Sequence, residues 1–190
     1  MIEAWLVILI HQIVFQGMFV IKNIVLEKKL GKPIRGNNRE ANFSIALIIL
    51  FITVSLVISI LRLPIGEAQV LGDPLSMIIG LVLLLLNLTI SAASLLNLKD
   101  SWRVGILKDQ NTELISSGIY RFTRNPYFLS YMIMFIAYTV ILQNIMLIVL
   151  TVFAFLLIHK MILKEEEYLY SVHGADYVQY KQKVPRYLLI

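Results

Sequence analysis

Two short polar segments of the sequence carry residue types that could take part in chemistry. The first is Arg124-Asn125-Pro126-Tyr127-Phe128, directly before an apolar run, and the second is Glu165-Glu166-Glu167, shortly after one. Pro126 suits the first turn of a helix, where its missing N–H costs nothing. Free N–H groups at a helix start attract carboxylates, and the faces of Tyr127 and Phe128 attract cations. At most two of the three glutamates can face one site, because successive helical residues point about 100° apart.

Each segment also has an ordinary structural interpretation. The Arg-Asn-Pro stretch could be only the turn by which the chain enters a membrane helix, and the glutamates could be a solvated turn that ends one. Neither segment alone favours a particular chemistry. Together they would supply carboxylates, aromatic faces and helix N–H groups to a ligand with both cationic and anionic parts.

The distribution of charge predicts the elements that must position these segments. Hydrophobic residues make up 58% of the chain and charged residues 15%, whereas soluble domains have about 45–50% and about 25%. Four stretches contain no charged residue, namely 4–21, 41–61, 74–98 and 125–159. A helix needs about 20 mostly apolar residues to cross a bilayer. The first three stretches therefore each predict one transmembrane helix, and the fourth predicts two, with a turn at Gln143 and Asn144.

The tail from Lys160 onward predicts two short helices separated by Gly174, because glycine often follows the last residue of a helix. The second of these helices is expected to end before Pro185. The predicted fold is thus all-α, a multi-pass bundle of five transmembrane helices with a cytoplasmic helical C-terminal tail.

Basic residues set the expected orientation. Six of the 17 Lys and Arg residues fall in 22–40, five in 99–124 and five from Lys160 onward, with Arg62 as the exception. The positive-inside rule then places the N-terminus outside and both polar segments on the cytoplasmic face. Basic loops beside membrane spans also account for the net charge of +5 without a nucleic-acid partner. The small size and the absence of a eukaryotic targeting signal indicate a prokaryotic cell membrane.

Polar residues inside the predicted spans are expected to hold helices together. Polar residues recur at helical spacing in two spans, namely Gln12, Gln16 and Asn23 in the first and Asn87, Ser91 and Ser94 in the third. The alternative is that these side chains line a ligand cavity. His11 is expected to be a hydrogen-bonded packing residue, with a proton relay as the alternative.

Several common kinds of site are missing from the sequence. There is no glycine-rich nucleotide turn, the three histidines lack metal-ligand spacing, and no cysteine is present. We therefore expect no metal and no disulfide.

The two polar segments should meet, because the predicted hairpin of spans four and five returns the chain to the same side. S-adenosylmethionine carries a sulfonium, an ammonium, a carboxylate and ribose hydroxyls. Carboxylates, π-faces and helix N–H groups are the partners that such a ligand needs. The sequence thus favours S-adenosylmethionine as the cofactor.

The ordered pieces "TELISSGIYRFTRNPYF" and "KEEEYLYSVHGADYVQYKQKVPR" resemble the isoprenylcysteine carboxyl methyltransferase family of integral membrane enzymes and its relatives among phospholipid methyltransferases. The resemblance covers about 99–190. It implies methyl transfer from S-adenosylmethionine to a lipophilic acceptor, without a Rossmann domain. It also implies one structural unit, in which 1–98 supplies three helices with a basic cytoplasmic loop and 99–190 forms the methyltransferase core.

The resemblance also implies a set of site residues. The cofactor would contact the stretch before span four and the glutamates after span five, at Thr112, Glu113, Leu114, Ile115, Tyr120, Asn125, Pro126, Tyr127, Phe128 and Glu165. We expect Arg124 to hold a carboxylate of the cofactor or acceptor, because its planar fork suits bidentate pairing. Glu166 is the expected general base if the acceptor is a neutral amine or hydroxyl.

Two positions depart from the family pattern. Isoprenylcysteine enzymes have His-Pro-x-Tyr where this chain has Asn125-Pro126-Tyr127-Phe128. They also have an arginine for the acceptor carboxylate near position 161, where this chain has Met161 between Lys160 and Lys164. The acceptor therefore stays open between a carboxylate, an amine and a hydroxyl.

Two other function classes remain as alternatives. An NADPH-dependent membrane reductase could share the layout, but the 2′-phosphate of NADPH favours clustered Arg and Lys rather than three glutamates. A non-catalytic membrane scaffold could keep the fold without turnover. The sequence does not indicate an oligomeric state.

Overall fold

The computed structural model describes residues 3–36, 39–105, 107 and 113–188, and for 39–41 it describes the backbone alone. Five α-helices follow one another along the chain: α1 (Ala4–Leu30), α2 (Arg39–Leu61), α3 (Asp73–Asn97), α4 (Pro126–Leu142) and α5 (Ile145–Lys183). Two short 3₁₀ turns, Lys99–Ser101 and Gly118–Arg121, lie between α3 and α4. No β-strand occurs in the described residues, and the predicted all-α bundle is confirmed.

The helices have the length and composition of membrane helices. Four of them, α1, α2, α3 and α5, are long and apolar enough to cross a bilayer. Helix α4 is apolar but has only 17 residues, which gives it a length of roughly 26 Å at 1.5 Å per residue. It packs against α3 and α5, and residues such as Met134, Ala137 and Tyr138 are fully buried there.

A buried polar network joins α1, α3 and α4. His11 Nδ1 lies 2.7 Å from Tyr138 Oη, and His11 Nε2 lies 2.8 Å from Asn87 Oδ1. Asn87 Nδ2 donates to the Ser130 carbonyl, and Ser91 Oγ donates to Ser130 Oγ. These contacts confirm that polar residues of the spans connect helices. Two of the residues expected to do so, Gln16 and Ser94, instead bond Gln12 and the Ile90 carbonyl within their own helices.

The predicted turn at Gln143 and Asn144 is confirmed. Gln143 adopts a left-handed conformation with φ of 44°, and the Asn144 side chain caps α5 by accepting from Met146 N at 2.9 Å. Both side chains also bond the loop between α2 and α3, where Asn144 Nδ2 donates to the Ile65 carbonyl. The turn reverses the chain, so that α5 runs back toward the start of α4.

The tail differs from its prediction in one respect. The structure shows no separate helix from Lys160, because α5 continues without a break from Ile145 to Gly174. At Gly174 the backbone leaves helical geometry, with φ of 51° and ψ of −119°, and the helix then resumes to Lys183. A polar stretch can extend a membrane helix into water, so the change in composition at Lys160 marks the end of the apolar part of α5 rather than the end of the helix.

Candidate active site

A buried ion-pair cluster joins the start of α4 to the part of α5 beyond the apolar segment. Arg124 Nη2 and Nε donate to Glu166 Oε1 at 2.8 and 3.2 Å, and Arg186 Nη2 donates to Glu166 Oε2 at 2.9 Å. The side chains of Arg124 and Glu166 are only 6% and 8% exposed. The two polar segments of the sequence are therefore in direct contact.

Residues directly before α4 also form hydrogen bonds to the C-terminal part of the chain. Arg124 Nη1 donates to the carbonyls of Lys181 and Val184, and the Arg124 backbone N–H donates to the Pro185 carbonyl. Thr123 Oγ1 donates to the Arg186 carbonyl at 2.8 Å. Because a buried ion pair is tolerated only when its remaining hydrogen-bonding groups are satisfied, this dense bonding explains how the cluster persists out of water.

The charge of Glu166 is stabilised by this environment. Burial alone would raise the pKa of Glu166, but hydrogen bonds from Arg186 and Arg124 outweigh it and hold the pKa below its usual range. A carboxylate of lowered pKa is a weak proton acceptor at neutral pH. The lowered pKa and the two arginine contacts therefore suit Glu166 to positioning more than to proton transfer.

Next to this cluster lies a cavity of about 890 Å³ between α4, α5, α2 and the segment before α4. Its wall includes nine residues that the sequence singled out: Glu113, Leu114, Ile115, Tyr120, Arg124, Asn125, Tyr127, Phe128 and Glu165. Pro126 and Glu166 do not line it. Thr112 lies outside the described residues. The structure thus brings most of the predicted residues around a single space.

Carboxylates mark one part of the cavity wall. Glu113, Glu165 and Glu167 all line it, together with three basic residues, Arg103, Arg124 and Lys164. Glu165 is half-buried, and burial, together with the neighbouring Glu166, raises the pKa of Glu165 to about 7. Glu165 and Glu166 are adjacent in sequence, yet their pKa values move in opposite directions.

Aromatic residues form another part of the wall. The rings of Trp102 and Tyr127 meet edge to face at 4.8 Å, Tyr127 and Tyr131 do so at 5.4 Å, and Phe19 of α1 packs on Trp102 at 5.9 Å. Phe19, Trp102 and Tyr131 were not predicted as site residues. The spacing of Tyr127 and Tyr131, four residues apart on α4, was the signal in the sequence that could have indicated the second tyrosine.

The third part of the wall is aliphatic and belongs to the helices α2 and α5. Ile45 and Ile48 of α2 and Ile158 of α5 line the cavity here. Ser44 Oγ donates to Met161 Sδ at 2.6 Å between the two helices. Met161, the residue near which the resemblance predicts an arginine, also lines the cavity.

Two comparisons bear on identity. A search of curated proteins found no significant match to the chain. The sequence model of the family described as "Phospholipid methyltransferase" matches residues 75–176, which is just over half of the chain. The matched range contains α4, both polar segments and most of α3 and α5, and it confirms the resemblance seen in the sequence. The chain belongs to the phospholipid methyltransferase family and is an integral membrane methyltransferase.

Proposed function

We propose that this protein transfers a methyl group from S-adenosylmethionine to a lipophilic acceptor. The reaction takes place in the cavity beside the start of α4, on the cytoplasmic face of the membrane. One observation carries the proposal: a single cavity is lined by carboxylates, aromatic rings and the aliphatic faces of two membrane helices. Its polar wall suits a charged reagent from water, and its aliphatic wall suits a hydrocarbon acceptor. The orientation rests on the basic residues beside the spans.

The residues of the cavity fit this cofactor by their chemistry. Glu165 offers a half-buried carboxylate for an ammonium or ribose hydroxyls, and Tyr127 and Phe128 offer π-faces for a sulfonium. No side chain caps the start of α4, and free N–H groups at a helix start suit a ligand carboxylate. The volume of about 890 Å³ lies within the range of roughly 300–1,000 Å³ for small-molecule sites.

When bound, the cofactor would supply a sulfonium-activated methyl group. The contribution of the chain is to orient the two reactants, which can lower a barrier by roughly 7–11 kcal/mol. The aromatic and aliphatic parts of the wall also favour a reaction in which charge becomes dispersed. An acceptor carboxylate needs no general base, whereas a neutral amine or hydroxyl needs one. In that case Glu165 suits the task better than Glu166, because its pKa lies near 7.

We assign Arg124 and Glu166 to positioning. Their ion pair holds the first turn of α4, and with it Tyr127 and Phe128, against α5 and the C-terminal residues. Pro126 contributes by fixing the backbone at the first position of α4. Glu113, Leu114, Ile115, Tyr120 and Asn125 complete the proposed cofactor wall.

Calorimetry with S-adenosylmethionine in detergent tests this assignment. Glu165→Gln and Phe128→Ala should each weaken binding, and Glu3→Gln is the matched control, because Glu3 pairs with Arg62 at the other end of the bundle. Titration with NADPH tests the reductase alternative. If both site variants bind S-adenosylmethionine as tightly as the parent, or if NADPH binds in its place, the proposed function is wrong.

A further inference from the structure

Two recesses share the contact between α2 and α5. The inner recess is the cavity described above. The outer recess is a groove of about 310 Å³ with an apolar lining that ends at a lysine; its residues are Phe43, Leu47, Leu150, Phe153, Leu156, Leu157 and Lys160. Directly adjacent residues belong to different recesses, as Phe43 and Ser44 do on α2 and Leu157 and Ile158 do on α5. The helix contact itself is therefore the wall between them.

The side chains that form this wall differ along the helix pair. Near the start of α2 it includes the contact of Ser44 Oγ with Met161 Sδ, which joins a small side chain to a flexible, unbranched one. Farther along the pair, Phe51 and Ala154 are almost completely buried and belong to the hydrophobic core. An opening between the recesses is therefore easiest at Ser44 and Met161, where a methionine rotamer change can create it.

We infer that the contact of Ser44 and Met161 is a port through which one hydrocarbon chain of the acceptor lipid passes from the bilayer. The inference rests on the proposed function. The reactive head of the acceptor occupies the inner cavity, and its chain crosses the port and lies in the outer groove. The groove extends from Leu150 to Lys160 along α5, which is roughly 15 Å at 1.5 Å per residue. Its exposed apolar residues, such as Phe43 and Phe153, belong to helices long and apolar enough to cross a bilayer, where they would contact acyl chains.

Cross-linking can close the port reversibly. The chain has no cysteine, so Ser44→Cys with Met161→Cys can be joined selectively by a short, reducible bifunctional thiosulfonate. The protein is reconstituted with total lipids of the cells that produced it, and methyl-labelled S-adenosylmethionine is added. The cross-linked protein should label lipid more slowly than the same protein after reduction, by about tenfold or more.

A matched control uses a second helix contact of the same kind. Thr139 Oγ1 and Thr151 Oγ1 lie 2.9 Å apart between α4 and α5, and neither residue lines a recess. Cross-linking Thr139→Cys to Thr151→Cys should leave the labelling rate unchanged. Equal slowing by both cross-links would mean that general rigidity, not a port, governs the rate, and would overturn the inference.

Tryptophan quenching tests the port without turnover. In a Trp5→Phe background, Trp102 is the only tryptophan, and it lines the inner cavity. Vesicles of phospholipid with brominated acyl chains should quench Trp102 less when Ser44→Cys and Met161→Cys are cross-linked than after reduction. Quenching that is equal in the two states overturns the port. Quenching that responds in a protein that transfers no methyl group supports the port and contradicts the proposed function instead.

Discussion

The buried Glu166 cluster allows the sharpest prediction, which separates a positioning role from a catalytic one. Glu166→Ala would leave two guanidinium groups without their shared carboxylate, and one of them, Arg124, is only 6% exposed. Removing one partner of a buried ion pair costs about 3–5 kcal/mol, because the other charge stays buried and unpaired. Arg186 is 27% exposed and can reach water, so its share of the loss should be smaller.

Glu166→Gln should cost less than Glu166→Ala. An amide oxygen can still accept from Arg124, so the loss is that of the charge-assisted part of the hydrogen bonds, about 1–3 kcal/mol. The matched control is Glu167→Gln, which changes the next residue, whose side chain is exposed. We expect the control to alter the free energy of unfolding by less than about 0.5 kcal/mol.

The assay is reversible unfolding in mixed micelles, followed by the fluorescence of the buried Trp102 in the Trp5→Phe background. The sign of the pH dependence provides a second check. Because the folded-state pKa of Glu166 lies below its usual value of 4.5, its stabilisation is present above that value and is lost as the pH falls through the lowered pKa. Glu166→Ala should remove this dependence. If Glu166→Gln abolishes methyl transfer while stability and cofactor affinity stay unchanged, Glu166 is catalytic and the positioning role is wrong.

Three further predictions concern the site and the fold. The affinity for S-adenosylmethionine should fall about tenfold from pH 8 to pH 6, because Glu165, with a pKa of about 7, loses its charge over this range. Calorimetry should show this fall for the parent protein and not for Glu165→Gln. Gly80→Ala should destabilise the bundle by about 1–3 kcal/mol, because its Cβ would overlap Ile141 Cγ1. Ile141→Ala in the same chain should recover part of this loss when unfolding is measured in micelles. Gly174→Ala should lower the free energy of unfolding by about 1–3 kcal/mol through backbone strain alone, since φ is +51° and nothing lies within 4 Å of the new Cβ. Thermal unfolding of the variant and the parent protein measures this difference.

Local patterns account for what the sequence could predict of the fold. Charge-free stretches predicted the helices, and the Asn144 cap with the left-handed Gln143 agrees with a turn expected from two polar residues in an apolar run. The continuity of α5 past Lys160 was not predictable from composition, because helical hydrogen bonding does not depend on whether a residue is in lipid or water.

The site was predictable only as far as its residues are close in sequence or joined by the hairpin. Phe19 contacts Trp102 across 83 positions of chain, and such a contact depends on how α1 rotates and packs, which no local pattern encodes. Arg186 was missed for the same reason. Its bond to Glu166 requires the chain to turn back after the kink at Gly174, and that path is set by the backbone of the tail.

The different environments of Glu165 and Glu166 follow from helix geometry. Successive residues of a helix point about 100° apart, so two adjacent glutamates cannot share one environment. Glu165 faces the cavity, where burial raises its pKa to about 7, and Glu166 faces two arginines, which lower its pKa. Paired carboxylates whose environments separate their pKa values are a common way to divide roles within a site. Within the acidic triplet, Glu165 can therefore supply a carboxylate to a ligand. The next residue, Glu166, can form the ion pairs that position the rest of the site.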